Sequence, residues 1–471
     1  MRLLITGGDS ALARMATEHL RTSFAVRVTD TRFTTPLPTD VESQIGDLRD
    51  EAFVTTLMAD VEAILHLAPL SPTLDNTAAN LEQATLGSYY LAHAAKKAQI
   101  GRIVLGSTMQ LFANVDPKWP ISEYWRPQPR PELSELCAWL AECTLREMAR
   151  DGVMPTVCIR LGDADASVLP TIQQAFSARC NGWRILHATK QSPIVAPKPP
   201  AGLATRPIKN VVIFGAGGPL AVSAIQELAP HYRLRLSDVK PLEEIIAAGP
   251  RLDQHPGAPR AITLGAPHDE RVADVTDIDQ VMAACEGMDA IVNCTVIRHH
   301  VVNSFRVNTI GAYNVMQAAV AHNIRRVVHT GPFQIGLDGA AGYTWDDFVV
   351  DDVPARPGHG MNTYLQTKYL GQEICRAFAL HYGLEVPSLF FCDFADFVNL
   401  RARDSGVHPF TTTWRDAGRA IQSAVAVPTL PTPLEILHIN SDMPHGVFPN
   451  DKAKRILDWQ PHDAPESWWQ V

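Results

Sequence analysis

Residues 209–221 read KNVVIFGAGGPLA, an apolar run that meets a glycine-rich turn and continues into a segment of helical composition. Residues 1–13 read MRLLITGGDSALA and repeat the same order of strand, turn and helix. A turn without bulky side chains lets the pyrophosphate of a dinucleotide reach a helix N-terminus, where unpaired N–H groups and the helix dipole favour negative charge. The two stretches therefore predict a duplicated nucleotide-binding fold.

The duplication extends beyond the turns. Three intervals have the same length in both halves of the chain: Gly7–Asp30 with Gly215–Asp238, Asp47–His66 with Asp274–Asn293, and Gly87–Arg102 with Gly311–Arg326. In each half, short apolar runs alternate with segments of helical periodicity, which predicts βαβ units and a parallel sheet. The expected fold class is α/β, with two tandem Rossmann-type doubly wound domains.

Proline content predicts where the domains meet. Residues 192–207 contain five prolines, a composition that favours extended, semi-rigid backbone. We expect a first domain at 1–191, a linker at 192–207 and a second domain at 208–471. The second copy continues far beyond its last recognisable strand, which ends at Phe391, and this C-terminal part is expected to cover a substrate.

Composition limits the classes of partner. The 471 residues are 46% hydrophobic and 19% charged, with a net charge of −9, and no basic stripe is visible. Nucleic acid and membranes are therefore poor partners, and a small molecule is the better expectation. The N-terminus lacks the pattern of a signal peptide, and the eight cysteines form no CxxC pair, which favours buried free thiols and the cytoplasm. No residues stand at metal-ligand spacing, so no metal is expected.

The second glycine turn is followed by an acidic residue at the distance that a dinucleotide requires. Gly215, Gly217 and Gly218 leave room for phosphates, and Asp238 ends the next predicted strand. A carboxylate there can accept hydrogen bonds from the adenosine ribose and would repel a 2′-phosphate, which predicts NAD rather than NADP. The first copy has Gly7, Gly8 and Asp30 but carries Ser10 and Ala13 at its later small positions, which leaves binding there open.

Tyr364 and Lys368 form the candidate catalytic pair. They are four residues apart in MNTYLQTKYLGQE, a segment of helical composition, so both side chains project from one helix face. An ammonium beside a phenol favours the phenolate and lowers the pKa of the tyrosine toward the range of a general acid/base. The alternative is an ordinary pair on a helix surface.

The order of these motifs resembles the extended short-chain dehydrogenase/reductase superfamily, in particular its NAD-dependent epimerase/dehydratase group. The second copy is similar to uronate dehydrogenases in the run DDVPARPGHG before Tyr364 and in its closing residues. The resemblance implies Tyr364 as general acid/base, Lys368 as ligand of the nicotinamide ribose, and a strand-end hydroxyl for the substrate oxygen. The cofactor-binding positions expected on this basis are Gly215, Gly217, Gly218, Asp238, Asp274, Val275, Asn293 and Asn308 in the second copy, and Gly7, Gly8, Asp30 and Asp47 in the first.

Both copies depart from the family pattern. In the second copy the strand-end hydroxyl is replaced by Gly331 and Pro332, so Thr330 is the only nearby substitute. The first copy keeps Ser107, Thr108 and Arg160 but contains no YxxxK pair, which predicts a non-catalytic domain. Its Glu142 and Cys137 could replace the pair, yet both are more simply explained as helix-face and core residues. Arg401 and Arg403 are weak candidates for binding a substrate carboxylate.

The predicted function is an NAD-dependent oxidoreductase acting on a CH–OH group of a sugar, sugar acid or nucleotide sugar. Two alternatives stay open at this point. One is a nucleotide-sugar epimerase or dehydratase that retains its NAD, and the other is a non-catalytic regulatory protein that binds NAD. Analogy with the superfamily adds a homodimer, or a pseudo-dimer formed within one chain, as the expected pairing.

Overall fold

The computed structural model describes residues 2–163, 165–189, 202–250, 257–332, 362–396, 410–444 and 448–464, with single positions at 192, 194–196, 200 and 407. The chain divides into an N-terminal unit, residues 1–198 with 358–366, and a C-terminal unit, residues 199–357 and 367–471. The predicted linker at 192–207, which contains the division, stays a prediction. Among the described helices, none is long and apolar enough to cross a membrane.

The N-terminal unit is built on one parallel sheet of seven strands. In chain order the strands are β1 (Arg2–Thr6), β2 (Ala25–Asp30), β3 (Glu42–Ile45), β4 (Ala63–His66), β5 (Arg102–Thr108), β6 (Thr156–Leu161) and β7 (Trp183–His187). The helices are α1 (Ala11–Leu20), α2 (Glu51–Leu57), α3 (Thr77–Glu82), α4 (Ser88–Lys97), α5 (Leu133–Arg150) and α6 (Leu169–Ser177). The sheet order is β3-β2-β1-β4-β5-β6-β7, so the chain reverses direction across the sheet between β1 and β4.

The C-terminal unit repeats this topology. Its strands are β8 (Asn210–Phe214), β9 (Arg233–Ser237), β10 (Asp269–Glu270), β11 (Ala290–Asn293), β12 (Arg326–Pro332), β13 (Val386–Phe391), β14 (Asp393–Ala395), β15 (Thr411–Thr413) and β16 (Leu434–His438). Its helices are α7 (Pro219–Leu228), α8 (Leu242–Ala248), α9 (Ile278–Cys285), α10 (Val301–Ser304), α11 (Gly311–Ala321), α12 (Thr363–Tyr382), α13 (Trp414–Ala426) and α14 (Asp451–Leu457). The start of α12, through Gln366, falls in the stretch that the division groups with the N-terminal unit, and the helix is counted with the C-terminal unit because most of it lies there. The large sheet runs β10-β9-β8-β11-β12-β13-β16.

The predicted fold class is confirmed, because both units are doubly wound parallel sheets. The middle residues of β1 and β8 are apolar, as expected where helices cover both faces. Leu3, Leu4 and Ile5 in β1, and Val211 to Ile213 in β8, are fully buried. All eight cysteines are free thiols, six of them buried.

The structure adds one strand at the far edge of each sheet beyond those that the sequence indicated. In the N-terminal unit, β7 pairs with β6 and lies within the predicted first domain, 1–191, but beyond Thr156–Leu161, the last strand that the sequence indicated there. In the C-terminal unit, β16 pairs with β13, and α13 contacts α7. Much of the described C-terminal part therefore completes the sheet and its helical layer, rather than forming only a substrate cover.

Candidate active site

The second glycine turn places backbone N–H groups at the carboxyl edge of the sheet. Gly215 has φ +77°, and a Cβ there would lie 3.1 Å from backbone atoms of Cys294, so a side chain is excluded. The N–H of Gly217 donates to Asp238 Oδ2 at 2.9 Å. Gly218 is the N-cap of α7, and within the described chain no side chain caps this helix. The start of α7 is thus open toward an anion.

The first glycine turn has the same backbone course. Gly7 has φ +70°, and a Cβ there would lie 2.7 Å from backbone atoms of Ala68. A Cβ on Gly8 would lie 2.0 Å from Val28 Cγ1, so this glycine is required by packing against β2. The carboxylate at the end of β2 is again bonded to the turn, because the N–H of Asp9 donates to Asp30 Oδ2 at 3.0 Å.

Asp274 and Val275 are the two adjacent residues of the second copy that were predicted to bind the cofactor. Asp274 Oδ1 accepts from the N–H of Thr276 at 2.8 Å, and Val275 is buried. A Cβ on Gly311 would lie 2.8 Å from Val275 Cγ2, which explains the small residue at that helix start. In the first copy, Asp47 Oδ1 accepts the corresponding bond from the N–H of Arg49 at 2.8 Å, and the Asp47 carboxylate also accepts from Arg49 Nε, at 3.0 and 2.9 Å. The two aspartates therefore differ in the number of hydrogen bonds that their carboxylates accept.

Two predicted asparagines hold backbone around the site. Asn293 Oδ1 accepts from the N–H and the hydroxyl of Thr295, at 3.2 and 2.7 Å. Asn308 Nδ2 donates to the carbonyl of Ile297 at 2.8 Å and to the hydroxyl of Thr367 at 2.9 Å. Asn308 thus fastens α12 to the chain that follows β11, and its assignment to the cofactor stays a prediction.

Lys368 is buried at the carboxyl ends of two strands. Its Nζ donates to the carbonyl of Thr330 at 2.8 Å and to the carbonyl of Thr295 at 3.1 Å. Burial lowers the pKa of Lys368 to about 8, with the nearby Arg298 charge acting in the same direction. The lysine is therefore held in place by main-chain oxygen atoms and titrates close to neutral pH.

Tyr364 lies in the first turn of α12 and is partly exposed. Because it is one helical turn before Lys368, both side chains leave the same face of the helix. A phenol one helical turn from a buried ammonium is a suitable arrangement for proton transfer. The catalytic role of the pair stays a prediction.

Thr330 does not stand where the missing hydroxyl belongs. β5 and β12 have equal length and both begin with an arginine, so Gly331 corresponds to Ser107 and Thr330 to Gly106. Successive side chains on a strand point to opposite faces. The hydroxyl of Thr330 donates to the carbonyl of Asn293 at 2.8 Å. Its predicted catalytic role is therefore not favoured by this geometry.

The first copy has a leucine and a cysteine in place of the candidate catalytic pair. When α5 and α12 are aligned on the left-handed glycines that follow them, Gly152 and Gly383, Leu133 and Cys137 correspond to Tyr364 and Lys368. Cys137 is buried, and burial raises the pKa of its thiol to about 12. A leucine and a neutral thiol cannot replace a phenol and an ammonium in proton transfer.

Three other residues of the first copy form a buried ionic cluster that the sequence did not reveal. Glu142 accepts from the hydroxyl of Ser107 and from Arg160, whose Nε and Nη2 lie 3.0 and 2.8 Å from the carboxylate. All three side chains are at most 2% exposed. Ser107 and Arg160, retained from the family pattern, thus both bind Glu142 inside the domain. Arg401 and Arg403 lie outside the described residues.

The sequence profile described as the NAD dependent epimerase/dehydratase family matches residues 3–163 and 252–395, more than half of the chain. The chain belongs to this family. The first matched segment falls in the N-terminal unit and most of the second in the C-terminal unit, in keeping with a tandem duplication of this epimerase/dehydratase fold.

A uronate dehydrogenase of Pseudomonas putida is 26% identical to this family member over 192 residues, which span 40% of this chain and 62% of that protein. The crystal structure of uronate dehydrogenase from Agrobacterium tumefaciens is 23% identical and covers 54% of this chain and 85% of its own, with a TM-score of 0.42. Glucuronic acid dehydrogenase from Chromohalobacter salexigens is 18% identical and covers 56% and 87%, with a TM-score of 0.44.

Replacing Thr330 tests whether its hydroxyl is structural. Thr330→Val leaves the buried carbonyl of Asn293 without its donor, so we expect the free energy of unfolding to fall by about 1–3 kcal/mol. Thr330→Ser keeps the donor and should lose less. Urea denaturation of the three proteins measures the difference. A Thr330→Val protein with unchanged stability but at least tenfold lower turnover than Thr330→Ser would instead identify a catalytic hydroxyl.

Lys368 gives a pH dependence of stability with a defined sign. Its pKa in the folded chain, about 8, lies below the usual 10.5, so between these values the unfolded chain binds the extra proton. The free energy of unfolding contributed by Lys368 therefore rises as the pH increases from 8 toward 10.5, by up to about 1.4 kcal/mol per pH unit. Lys368→Met lacks this rise.

The measurement is the difference in unfolding free energy between wild type and Lys368→Met, taken at about pH 7.5 and about pH 9.5. We expect the difference to move by about 2 kcal/mol in favour of wild type at the higher pH. Taking the difference largely cancels the contributions of the buried thiols. Lys97→Met, at an exposed position, is the matched control and should show no such movement. A constant difference for Lys368→Met would contradict the lowered pKa.

Proposed function

We propose that the C-terminal unit is an NAD-dependent oxidoreductase that acts on a CH–OH group of a sugar, a sugar acid or a nucleotide sugar. The observation that carries the proposal is the buried Lys368, held at the carboxyl edge of the sheet one helical turn beyond Tyr364. Membership of the NAD dependent epimerase/dehydratase family supports the same class of chemistry.

In the proposed reaction, Tyr364 is the general base that removes the hydroxyl proton of the substrate. The ammonium of Lys368 favours the phenolate form of Tyr364 by its charge, which brings the tyrosine into the working range of a base. An NAD held at the Gly215 turn would supply the hydride acceptor, so that the carbinol carbon would be oxidised to a carbonyl. In the reverse direction the phenol of Tyr364 returns the proton to the carbonyl oxygen.

NAD rather than NADP is the proposed cofactor of the Gly215 turn. Asp238 accepts from the N–H of Gly217 and from the N–H of Val239, at 2.9 and 2.8 Å, which fixes its carboxylate beside the turn. A carboxylate in this position can accept from ribose hydroxyls and disfavours a 2′-phosphate. The turn itself offers the unfilled helix N-terminus that a pyrophosphate requires.

The similarity to uronate dehydrogenases makes a uronic acid the first substrate to test. The matched part of this chain spans 62% of the length of the curated relative, so the substrate is proposed by analogy. Arg401 and Arg403 remain proposed ligands of the substrate carboxylate.

A second candidate is a non-catalytic protein that binds NAD. It is favoured by one observation: the strand-end position that carries Ser107 in the first copy carries Gly331 in the second, and Thr330 bonds to the backbone. An epimerase or dehydratase that keeps its NAD differs from both, because product forms without net release of NADH.

The Tyr364→Phe variant separates these functions. Removing the base should lower turnover by about 100-fold or more and leave the dissociation constant of NAD nearly unchanged. Tyr382→Phe, at the other end of the same helix, is the control and should keep full activity. Uronic acids, aldoses and nucleotide sugars are assayed for NADH formation and, by chromatography, for product. If all three proteins are inert while binding NAD equally, the catalytic proposal is wrong and the regulatory one stands.

A further inference from the structure

The two glycine turns share one hydrogen-bonding framework, which permits a position-by-position comparison. The N–H of Gly8 donates to the carbonyl of Thr29, as Ala216 does to Ser237, both at 3.0 Å. The following N–H donates to the strand-end aspartate in each unit: Asp9 to Asp30, and Gly217 to Asp238. Asp9 therefore stands at the position of Gly217. In a dinucleotide-binding turn this glycine is the one that lets the backbone approach the pyrophosphate.

The side chain of Asp9 is fixed at the turn. Its Oδ1 accepts from the N–H and the hydroxyl of Thr34, at 2.9 and 3.0 Å, and from the guanidinium of Arg14. Although burial raises its pKa, the bonds from Arg14 and Thr34 hold the pKa of Asp9 below its usual 3.8, so the group is anionic at neutral pH. The carboxylate of Asp9 would therefore place its negative charge close to the two negative charges of a bound pyrophosphate, which is unfavourable.

Arg14 does not convert the turn into an anion site, because its donors are committed to the protein. Besides the Asp9 carboxylate, it donates to the carbonyl of Thr35 at 2.9 Å, and more weakly to those of Asp9 and Pro36 at 3.3 and 3.5 Å. These bonds, with those of Thr34, tie the chain that leaves β2 to the glycine turn.

In this unit the N-terminus of α1 and the carboxylate of Asp47 also have hydrogen-bond partners within the protein. Ser10 caps α1, with its Oγ accepting from the N–H of Ala13 at 3.2 Å, whereas the corresponding Gly218 has no side chain. Asp47 is paired with Arg49, whereas the residue corresponding to Arg49 beside Asp274 is Thr276. The residues of the N-terminal turn therefore do not fit a dinucleotide, although its backbone does.

We infer that the N-terminal unit takes no dinucleotide, because Asp9, bound to Arg14 and Thr34, places a carboxylate at the turn position that is Gly217 in the second copy, and that the chain binds one NAD, at the Gly215 turn. The predicted cofactor roles of Gly7, Gly8, Asp30 and Asp47 are thereby replaced by structural ones. The inference does not depend on the chemistry proposed for Tyr364. It concerns only which of the two turns admits a pyrophosphate.

The test uses a matched pair of variants in the full-length chain, Ser10→Asp and Gly218→Asp. Both positions are helix N-caps with extended backbone, φ −67° and −80°, where aspartate is a favoured residue. Each variant adds one carboxylate to one turn. Isothermal titration with NAD gives the stoichiometry and the affinity, and circular dichroism with a thermal melt checks folding.

We expect one NAD per chain in wild type, an unchanged titration for Ser10→Asp, and at least about 100-fold weaker binding for Gly218→Asp. Two NAD per chain in wild type, or a loss of binding confined to Ser10→Asp, overturns the inference. Should Gly218→Asp fail to fold, the wild-type stoichiometry and Ser10→Asp still decide. If wild type binds no NAD, the proposed function fails while the N-terminal assignment holds.

Discussion

Each half of this protein is organised by one hydrogen bond, from an amide of the glycine turn to a carboxylate at the end of the neighbouring strand. The bond joins Gly217 to Asp238 in the C-terminal unit and Asp9 to Asp30 in the N-terminal unit. The bond fixes the turn relative to the neighbouring strand. A glycine in the left-handed conformation, which precedes the turn amide, directs the next helix back over the sheet. The carboxyl edge of each sheet takes its shape from this contact.

The two glycine turns share one backbone course but lie in different electrostatic environments. In the C-terminal unit the turn carries no side chain larger than the methyl of Ala216, and the sheet edge beyond it holds an ammonium, that of Lys368. In the N-terminal unit the turn carries the Asp9 carboxylate, and the equivalent of Lys368 is the buried thiol of Cys137. Both sheets keep the same strand order, while the groups at their carboxyl edges differ.

How far the sequence predicts this protein depends on the type of constraint. The fold was predictable because apolar runs and glycine turns recur at equal intervals, and these follow from burial and backbone geometry. The Tyr364–Lys368 placement was predictable because both residues lie on one helix. The cluster of Glu142 with Ser107 and Arg160 was not, because it joins a helix to two strands that are distant in sequence. Asp9 was visible in the aligned turns, yet its bonds to Arg14 and Thr34 required coordinates. The edge strand β7 was not predicted from the sequence, because Trp183–His187 is short and only partly buried.

The anchoring of Lys368 has a consequence for how many groups it can serve. An ammonium has three N–H donors, and the carbonyls of Thr295 and Thr330 accept two of them. One donor is left for a further oxygen atom. A ribose hydroxyl and the Tyr364 oxygen therefore cannot both receive a full hydrogen bond from it. If the ribose takes that donor, the lysine acts on the tyrosine through its charge alone, an influence that varies with distance and dielectric rather than with bond angle.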